Sequence, residues 1–505
     1  MRDRHDVAIV GYGPVGQTLA VLLAQRGWNV GVFEKQPTPY ALPRAVHLDH
    51  EVARILQAAG LGDELPRLTE PADVYEWRNA AGETLLLIES RASGLSGWPE
   101  SNMFSQPELE RALDERVRAL PSVEVHRAAE VVDLRPGDGG VTLVVAGREV
   151  TAAWVVGCDG ASSFVRRHLD TTVTDLGFFF DWLIVDVVPH EPRTWSPINW
   201  QLCDPARPTT LVSGGPGRRR WEFMRLEGES VADLNTESTA WRLLAPWGVT
   251  PDTARLERHA VYTFQARWVD PWRNGRLLVA GDAAHQMPPF AGQGMCAGVR
   301  DAANLAWKLD LVLAGLAAET ILDSYASERV PQVRQVIEFS IELGKVICVP
   351  DPAAAAVRDR AMIAAVKDRG ASPPLPTPAI GPGILAADDP VAGQLFVQGD
   401  VRAGGRTGRF DDVVGRGFTL LGADGDPRTR LDPDLAAFFA SLGGVSAHVA
   451  PGGRVDDVHG TYARWFAEHG AGVVLARPDF HVFGAAPGID DAGRLVTLLR
   501  DRLRS

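Results

Sequence analysis

The chain has 505 residues, 45% hydrophobic and 23% charged, the make-up of an ordinary globular protein of two to four domains at about 150 residues each. A formal net charge of -13 disfavours nucleic acid or an anionic membrane as the main partner. The chain enters a strand pattern directly after Asp3, and its best apolar stretch, near Leu309 to Ala318, is too short to span a bilayer. No signal peptide or membrane anchor is therefore expected, and the protein reads as cytoplasmic. Cys158, Cys203, Cys296 and Cys348 have no metal-like spacing, so they read as reduced thiols and no metal is expected.

In chain order, the apolar strand Asp6 to Val10 runs into Gly11-x-Gly13-x-x-Gly16. A helix follows with Val15, Leu19, Leu22 and Leu23 on one side. The glycines allow a tight turn, close approach of a pyrophosphate to backbone N–H groups, and close packing of helix on strand. A second strand, Val30 to Phe33, delivers Glu34 at the distance expected of a carboxylate that grips ribose hydroxyls. Strand, turn, helix, strand and acid in this order predict an adenine dinucleotide site, with the dinucleotide left open. Arg44, in Pro43-Arg44-Ala45, either lies over that ligand or pairs with Asp49 or Glu51. Alternation from Val74 to Phe104 predicts a small inserted sheet. Ser105 and Pro107 open a helix carrying Leu109, Leu113 and Val117.

Strands are predicted near 123–126, 130–134 and 141–145. The next strand, at Trp154 to Cys158, ends in Asp159-Gly160, either a second anion site or a capped turn. From Phe178 to Arg267 the pattern is strand-rich and aromatic (Trp182, Trp195, Trp200, Trp221, Phe223, Tyr262, Phe264). It reads as a mostly antiparallel sheet whose inner face either walls a ring-shaped ligand or is simply core. Arg218-Arg219-Arg220 reads as a solvated hairpin. A strand ending in Gly281-Asp282 leads to helices near 297–316, which carries Asp301, Asn304 and Lys308, and near 320–346. Pro350, Pro352, Pro373, Pro374, Pro376, Pro378 and Pro382 bracket an alanine-rich helical patch, marking a linker at 349–383. Residues 384–505 form a separate α/β module without cysteine.

Three separated segments resemble one family, the class A FAD-dependent aromatic hydroxylases. They are the glycine turn with Glu34, Cys158-Asp159-Gly160-x-Ser162-x-x-Arg166, and Gly281-Asp282-Ala283-Ala284-His285 with Pro288, Gly292-Gln293-Gly294-Met295 and Asp301-Ala302-x-Asn304-Leu305. Pro43-Arg44-Ala45, Asp204-Pro205-x-Arg207-Pro208, Glu222-Phe223-Met224 and Val261-Tyr262-Thr263 are most similar to the hydroxyphenylpropionate, phenol and polyketide hydroxylases. The resemblance implies an α/β fold with a Rossmann-like FAD-binding domain in two parts, 1–177 and 269–348. An antiparallel-sheet substrate domain at 178–268 is inserted between them, and 384–505 is a thioredoxin-like domain.

It also implies residue roles. FAD pyrophosphate would sit on Gly11, Gly13, Pro14, Val15 and Gly16, with Glu34 and Lys35 at the adenosine ribose and Arg44 and Gln106 along the cofactor. Asp282, after Gly281, would accept from a ribityl hydroxyl, and Pro288 would flank the isoalloxazine. The N–H groups of Gly292, Gln293, Gly294 and Met295 would meet the pyrimidine edge. Asp159 would lie where FAD and a visiting NADPH or NADH meet, there being no second complete glycine motif. Cys296-Ala297 departs from the polar pair that relatives carry, which leaves only backbone contacts there. The implied reaction is hydroxylation of a small phenolic substrate by O2 through a flavin C4a-hydroperoxide in a dry cavity. His47, His50 and His285 are candidate proton acceptors, and Tyr262 a candidate partner of the ring oxygen; each also reads as structural. Trp200 belongs to the expected aromatic wall. Arg267, read at the end of the Tyr262 strand, either pairs with a substrate carboxylate or lies on the surface. Rival readings are a dehydrogenase, an epoxidase or Baeyer–Villiger enzyme on this fold, and a non-catalytic binder of aromatic ligands. A monomer or homodimer is expected.

Overall fold

The computed structural model describes residues 2–39, 42, 44–369 and 378–504; Pro43 and the linker prolines Pro373, Pro374 and Pro376 lie outside them. The β-branched runs of Arg4–Val10, Val30–Glu34 and Arg148–Gly157 are buried on both faces, as a parallel sheet requires. Strands Leu277–Val279, Arg148–Gly157, Arg4–Val10, Val30–Glu34 and Val123–Arg127 pair in that order, all parallel. Leu277–Val279 thus brings the Gly281-Asp282 segment beside the N-terminal glycine turn across more than 250 residues of chain. Helix Gly294–Leu313 then packs so closely that a Cβ on Gly298 would lie 2.6 Å from Val15 Cγ2 and 3.0 Å from Gly281 Cα.

A second sheet has seven strands, in the order Ala254–Thr263, Asp181–Pro189, Arg219–Met224, Thr209–Ser213, Asn199–Leu202, Val74–Arg78 and Thr84–Glu89. Its last two strands correct the expectation of a separate sheet at 74–104. Val74–Arg78 joins by parallel pairing to Asn199–Leu202, and Ser101–Phe104 pairs elsewhere, with His47–Asp49 and Thr69–Pro71. Alternation specifies a strand but not its neighbour.

Alternation also divides the aromatic residues. Leu183, Val185, Val187, Trp221 and Phe223 face a core covered by Leu234, Ala240 and Leu244, with Trp195 and Trp200 packed against it. Trp182, Ile184 and Phe264 belong to the opposite face. Arg218-Arg219-Arg220 is no solvated hairpin. Arg219 and Arg220 are buried at the start of a strand, where Arg219 donates to the Ile198 carbonyl and lies 4.8 Å from the Trp195 ring centroid.

The alanine-rich patch is the helix Pro352–Arg369. The C-terminal sheet runs Arg406–Arg409, Asp400–Ala403, Val455–Asp457, Val445–Ala450, Thr419–Gly422, Val473–Ala476 and Val482–Ala486. It shares one core with Trp307 and Leu311 of helix Gly294–Leu313. Among the described residues, no helix is long and apolar enough to cross a membrane.

Candidate active site

A cavity of about 1240 Å³ runs from the glycine turn, beneath the start of helix Gly294–Leu313, to the inner face of the seven-stranded sheet. It exceeds the roughly 300–1,000 Å³ of an ordinary small-molecule site, leaving room for two ligands end to end. Gly11 adopts φ +101, and a Cβ there would stand 2.4 Å from the Cys158 carbonyl oxygen; at Gly16 it would stand 2.3 Å from that of Gly11. Gly13 meets nothing within 4 Å and opens on the cavity with Pro14 and Val15. Glu34 accepts the N–H groups of Tyr12 at 2.9 Å and Gln36 at 2.7 Å, so it braces the turn. It is not on the cavity wall, and Lys35 is exposed.

Arg44, Gln106, Asp282 and Gly292 to Met295 converge on the same wall from four separate stretches of chain. Gln106 accepts the Ala45 N–H at 2.7 Å and donates to Glu110 at 2.6 Å. The Asp282 side chain is exposed to the cavity, with protein walls around it. Burial pushes it above the ordinary carboxylate range, partly offset by His285, Arg44 and Arg267. Among the described residues it has no hydrogen-bond donor. A cradle of bare glycine backbone and, on the same wall, an unsupplied carboxylate and a helix N-terminus fit a phosphate-bearing, polyhydroxylated cofactor such as FAD.

Several expected contacts are elsewhere. Asp159 accepts from Ser163 Oγ at 2.5 Å and from the N–H groups of Phe164 and Val165, so it caps its turn while Cys158 and Gly160 reach the cavity. Pro288 is buried; its neighbours Pro289 and Phe290 form the wall. His285 is also buried off the wall, with Nε2 2.7 Å from Asp301. Asp301 further accepts from Gly281 N–H at 3.0 Å and Arg329 Nε at 2.9 Å. Burial alone would raise that carboxyl, but His285 and Arg329 hold it below its usual range. Arg267 starts its own strand, Arg267–Asp270, beyond a break at Phe264 to Ala266, and donates to Gln286 Oε1. It is off the cavity wall and close enough to influence Asp282. Trp200 stacks under Arg78 on the outer sheet face, because its parity is that of Trp221 rather than of Gln201.

His47 and His50 do reach the cavity. His47 Nδ1 lies 3.2 Å from the Gly292 carbonyl, and burial lowers both imidazoles from their ordinary value. Arg300 ties this region together, donating to Glu51 at 2.5 Å, Asp49 at 2.6 Å and Gln293 at 2.9 Å.

The sheet supplies polar wall residues that sequence reasoning missed. One row across it, by register, is Ile184, Glu222, Thr210, Gln201 and Trp77. Gln201 Oε1 accepts from Thr210 at 2.6 Å and from Tyr75 at 3.3 Å. The adjacent row is Arg258, Asp186 and Arg220. Arg220 holds both oxygens of Asp186 at 2.7 and 3.0 Å, and Arg258 donates to the Tyr262 hydroxyl. The signal was available: residues one step from Trp200 and Trp221 must face the other way. Away from this cavity, ligand atoms of His5, Glu124 and His126 lie within 4.8 Å of one another, but Glu124 is engaged by Arg2 at 2.9 Å.

In overall fold the chain matches the flavin-dependent monooxygenase PieE, solved with FAD and substrate, at a TM-score of 0.81, 22% identity and 99% coverage of each chain. Aklavinone-11 hydroxylase, solved with FAD and aklavinone, matches at 0.79, 24% identity and 100% of each chain. Residues 4–340 match the FAD binding domain family and residues 393–501 the HcaD C-terminal domain. The chain is 39% identical to a probable NADH-specific resorcinol 4-hydroxylase of Rhodococcus jostii, covering 99% of this chain and 95% of that protein. It is 34% identical to a 3-(3-hydroxy-phenyl)propionate/3-hydroxycinnamic acid hydroxylase of Klebsiella pneumoniae, covering 95% and 92%. The chain belongs to the class A FAD-dependent aromatic hydroxylases, and is an FAD-dependent aromatic monooxygenase with a nicotinamide reductant.

Proposed function

We propose that this enzyme hydroxylates a small phenol, with NADH as reductant and O2 as co-substrate. The observation that carries this reading is the continuity of one cavity from a dinucleotide turn to a hydrogen-bonding sheet face. NADH, and a simple diphenol as substrate, are supported by what is said of the 39%-identical relative. When bound, FAD supplies the reduced flavin that activates O2 for transfer of one oxygen atom to the ring.

The protein's part is to hold and to dry the site. Gly11, Gly13, Pro14, Val15 and Gly16 would cradle the pyrophosphate, Glu34 stiffens the turn, and Arg44 and Gln106 would line the cofactor's length. Asp282 would accept from the ribityl chain, and the N–H groups from Gly292 to Met295 would bear on the pyrimidine edge. Trp77, Met103, Phe264 and Phe290 exclude water near the ring, which favours oxygen transfer over release of H2O2. His47 and Tyr262 line the cavity and would serve substrate hydroxyls there; His285 acts through Asp301, fixing Gly281.

The domain reading is a cofactor domain at 1–177 and 269–348 and a substrate sheet at 178–268 that recruits 74–89. A linker at 349–383 leads to a thioredoxin-like module at 384–505, a description supported by its central strands flanked by helices. Four unpaired cysteines support a reducing, cytoplasmic setting.

The test is direct. Purified protein carries or takes up FAD and turns yellow. Resorcinol then stimulates NADH oxidation at least about tenfold, with hydroxylated product matching the NADH consumed. Colourless protein that refuses FAD sinks this reading.

A further inference from the structure

The row of polar residues across the inner sheet contains one acid that accepts no hydrogen bond among the described residues. Glu222 stands between Ile184 and Thr210 in register and lines the cavity with Gln201, Tyr262 and Phe264. Among the described residues, no hydrogen bond reaches its carboxylate. Its nearest cation is Arg220 Nη1, at 3.7 Å, and Arg220 is already spread over both oxygens of Asp186 and the Arg44 carbonyl. An enclosed carboxylate without donors costs folding free energy, so a ligand that brings a donor is favoured there.

The neighbouring charges narrow the ligand's chemistry. Arg220 holds Asp186, and Arg258 lies 3.9 Å from Asp186 and donates to the Tyr262 hydroxyl, which leaves only its Nε without a partner among the described residues. A substrate carboxylate placed here would meet the Glu222 carboxylate, while the Arg220 fork that stands nearest is already committed to Asp186. A neutral ring with two hydroxyls would instead donate one to Glu222 and reach the Thr210–Gln201 pair with the other.

Resting on the hydroxylase reading above, we propose that Glu222 accepts the hydrogen bond and then the proton of a substrate hydroxyl, selecting uncharged dihydroxybenzenes over phenols that carry an acid side chain. The substrate O–H bond breaks, the proton goes to a Glu222 oxygen, and the electron pair stays on the phenolic oxygen. That enriches the ring carbons ortho and para to it. Burial supports the role by raising the Glu222 carboxyl above the ordinary glutamate range, partly offset by Arg220, which brings its proton affinity nearer a phenol's. The titratable or charged groups facing it are Arg220, Asp186, Arg258, Tyr262 and Tyr75.

The experiment compares wild type, Glu222→Gln, Glu222→Asp and Thr210→Val, each checked for FAD content and flavin spectrum. The substrates are resorcinol and 3-(3-hydroxyphenyl)propionate. Wild type is expected to favour resorcinol at least about tenfold in kcat/KM. Glu222→Gln should lower kcat on resorcinol by about 100-fold or more and abolish the acid limb of its pH profile. Glu222→Asp should restore part of the rate, and Thr210→Val should raise KM with kcat kept. FAD-loaded Glu222→Gln within threefold of wild type, or a wild type that prefers the propionate, overturns the proposal while leaving the hydroxylase reading intact. If Glu222→Gln does not fold, unchanged kinetics in Glu222→Asp and Thr210→Val overturn it equally. A wild type that hydroxylates no phenol overturns both.

Discussion

Gly11 and Gly16 are held to glycine by different backbone atoms, the Cys158 carbonyl for one and the Gly11 carbonyl for the other. Gly16→Ala puts a methyl 2.3 Å from an oxygen that cannot move without opening the turn. FAD affinity is expected to fall at least about tenfold, roughly 1.4 kcal/mol, read by titrating the apoprotein and following flavin fluorescence. An unchanged affinity would mean that the turn does not hold the cofactor. Residue chemistry made these glycines legible, since no other type tolerates such approach. It left His285 open: a histidine beside a cofactor motif reads as a base or as a structural hydrogen-bonder, and the buried Asp301 against its Nε2 shows it as a strut.

At the scale of elements, the cofactor end of the cavity is two helix starts pressed together at Gly298, Val15 and Gly281. Gly298→Ala is expected to push helix Gly294–Leu313 away from helix Pro14–Ala24, costing about 1–3 kcal/mol of stability. Apoprotein Tm should fall and FAD affinity should weaken with it; loss of Tm alone would uncouple this packing from the site. Strand periodicity marked 178–267 as sheet without bounding its strands and missed the helices Val231–Leu234 and Glu237–Leu244, and the register of Ile184, Glu222, Thr210 and Gln201 follows only from pairing. The last two strands, Val74–Arg78 and the edge strand Thr84–Glu89, read in the sequence as a separate sheet, since a half-buried strand carries no mark of which neighbour it will meet.

In the whole molecule, the C-terminal module is joined to the cofactor body by a buried ionic knot. Glu328 accepts from Lys308 at 2.8 Å, from Asn304 at 2.8 Å and from Arg477 at 2.8 and 2.7 Å, and Asn304 also donates to Asp479 at 2.9 Å. Burial alone would raise the Glu328 carboxyl, but Arg477 and Lys308 outweigh it and hold it at about 2. Removing the charge strands the buried Lys308 and leaves Arg477 only Asp479, so Glu328→Gln is expected to cost about 3–5 kcal/mol. A carboxyl depressed in the folded state stabilises above its unfolded value, about 4.3, and loses that contribution as pH falls through its folded one. The Tm difference between wild type and Glu328→Gln should therefore shrink as pH falls below about 4; a difference that does not change over that acid range would show the knot to be packing alone. By itself, the sequence determined the glycine turn, the strand and helix periods and the family motifs, because each follows from contacts within a few residues. Only the tertiary structure decided that Trp200 faces outward and Glu222 inward, and that Asn304 and Lys308 serve a partner domain. Those outcomes depend on which distant surfaces meet, and the energy of that meeting is written in no single stretch of chain.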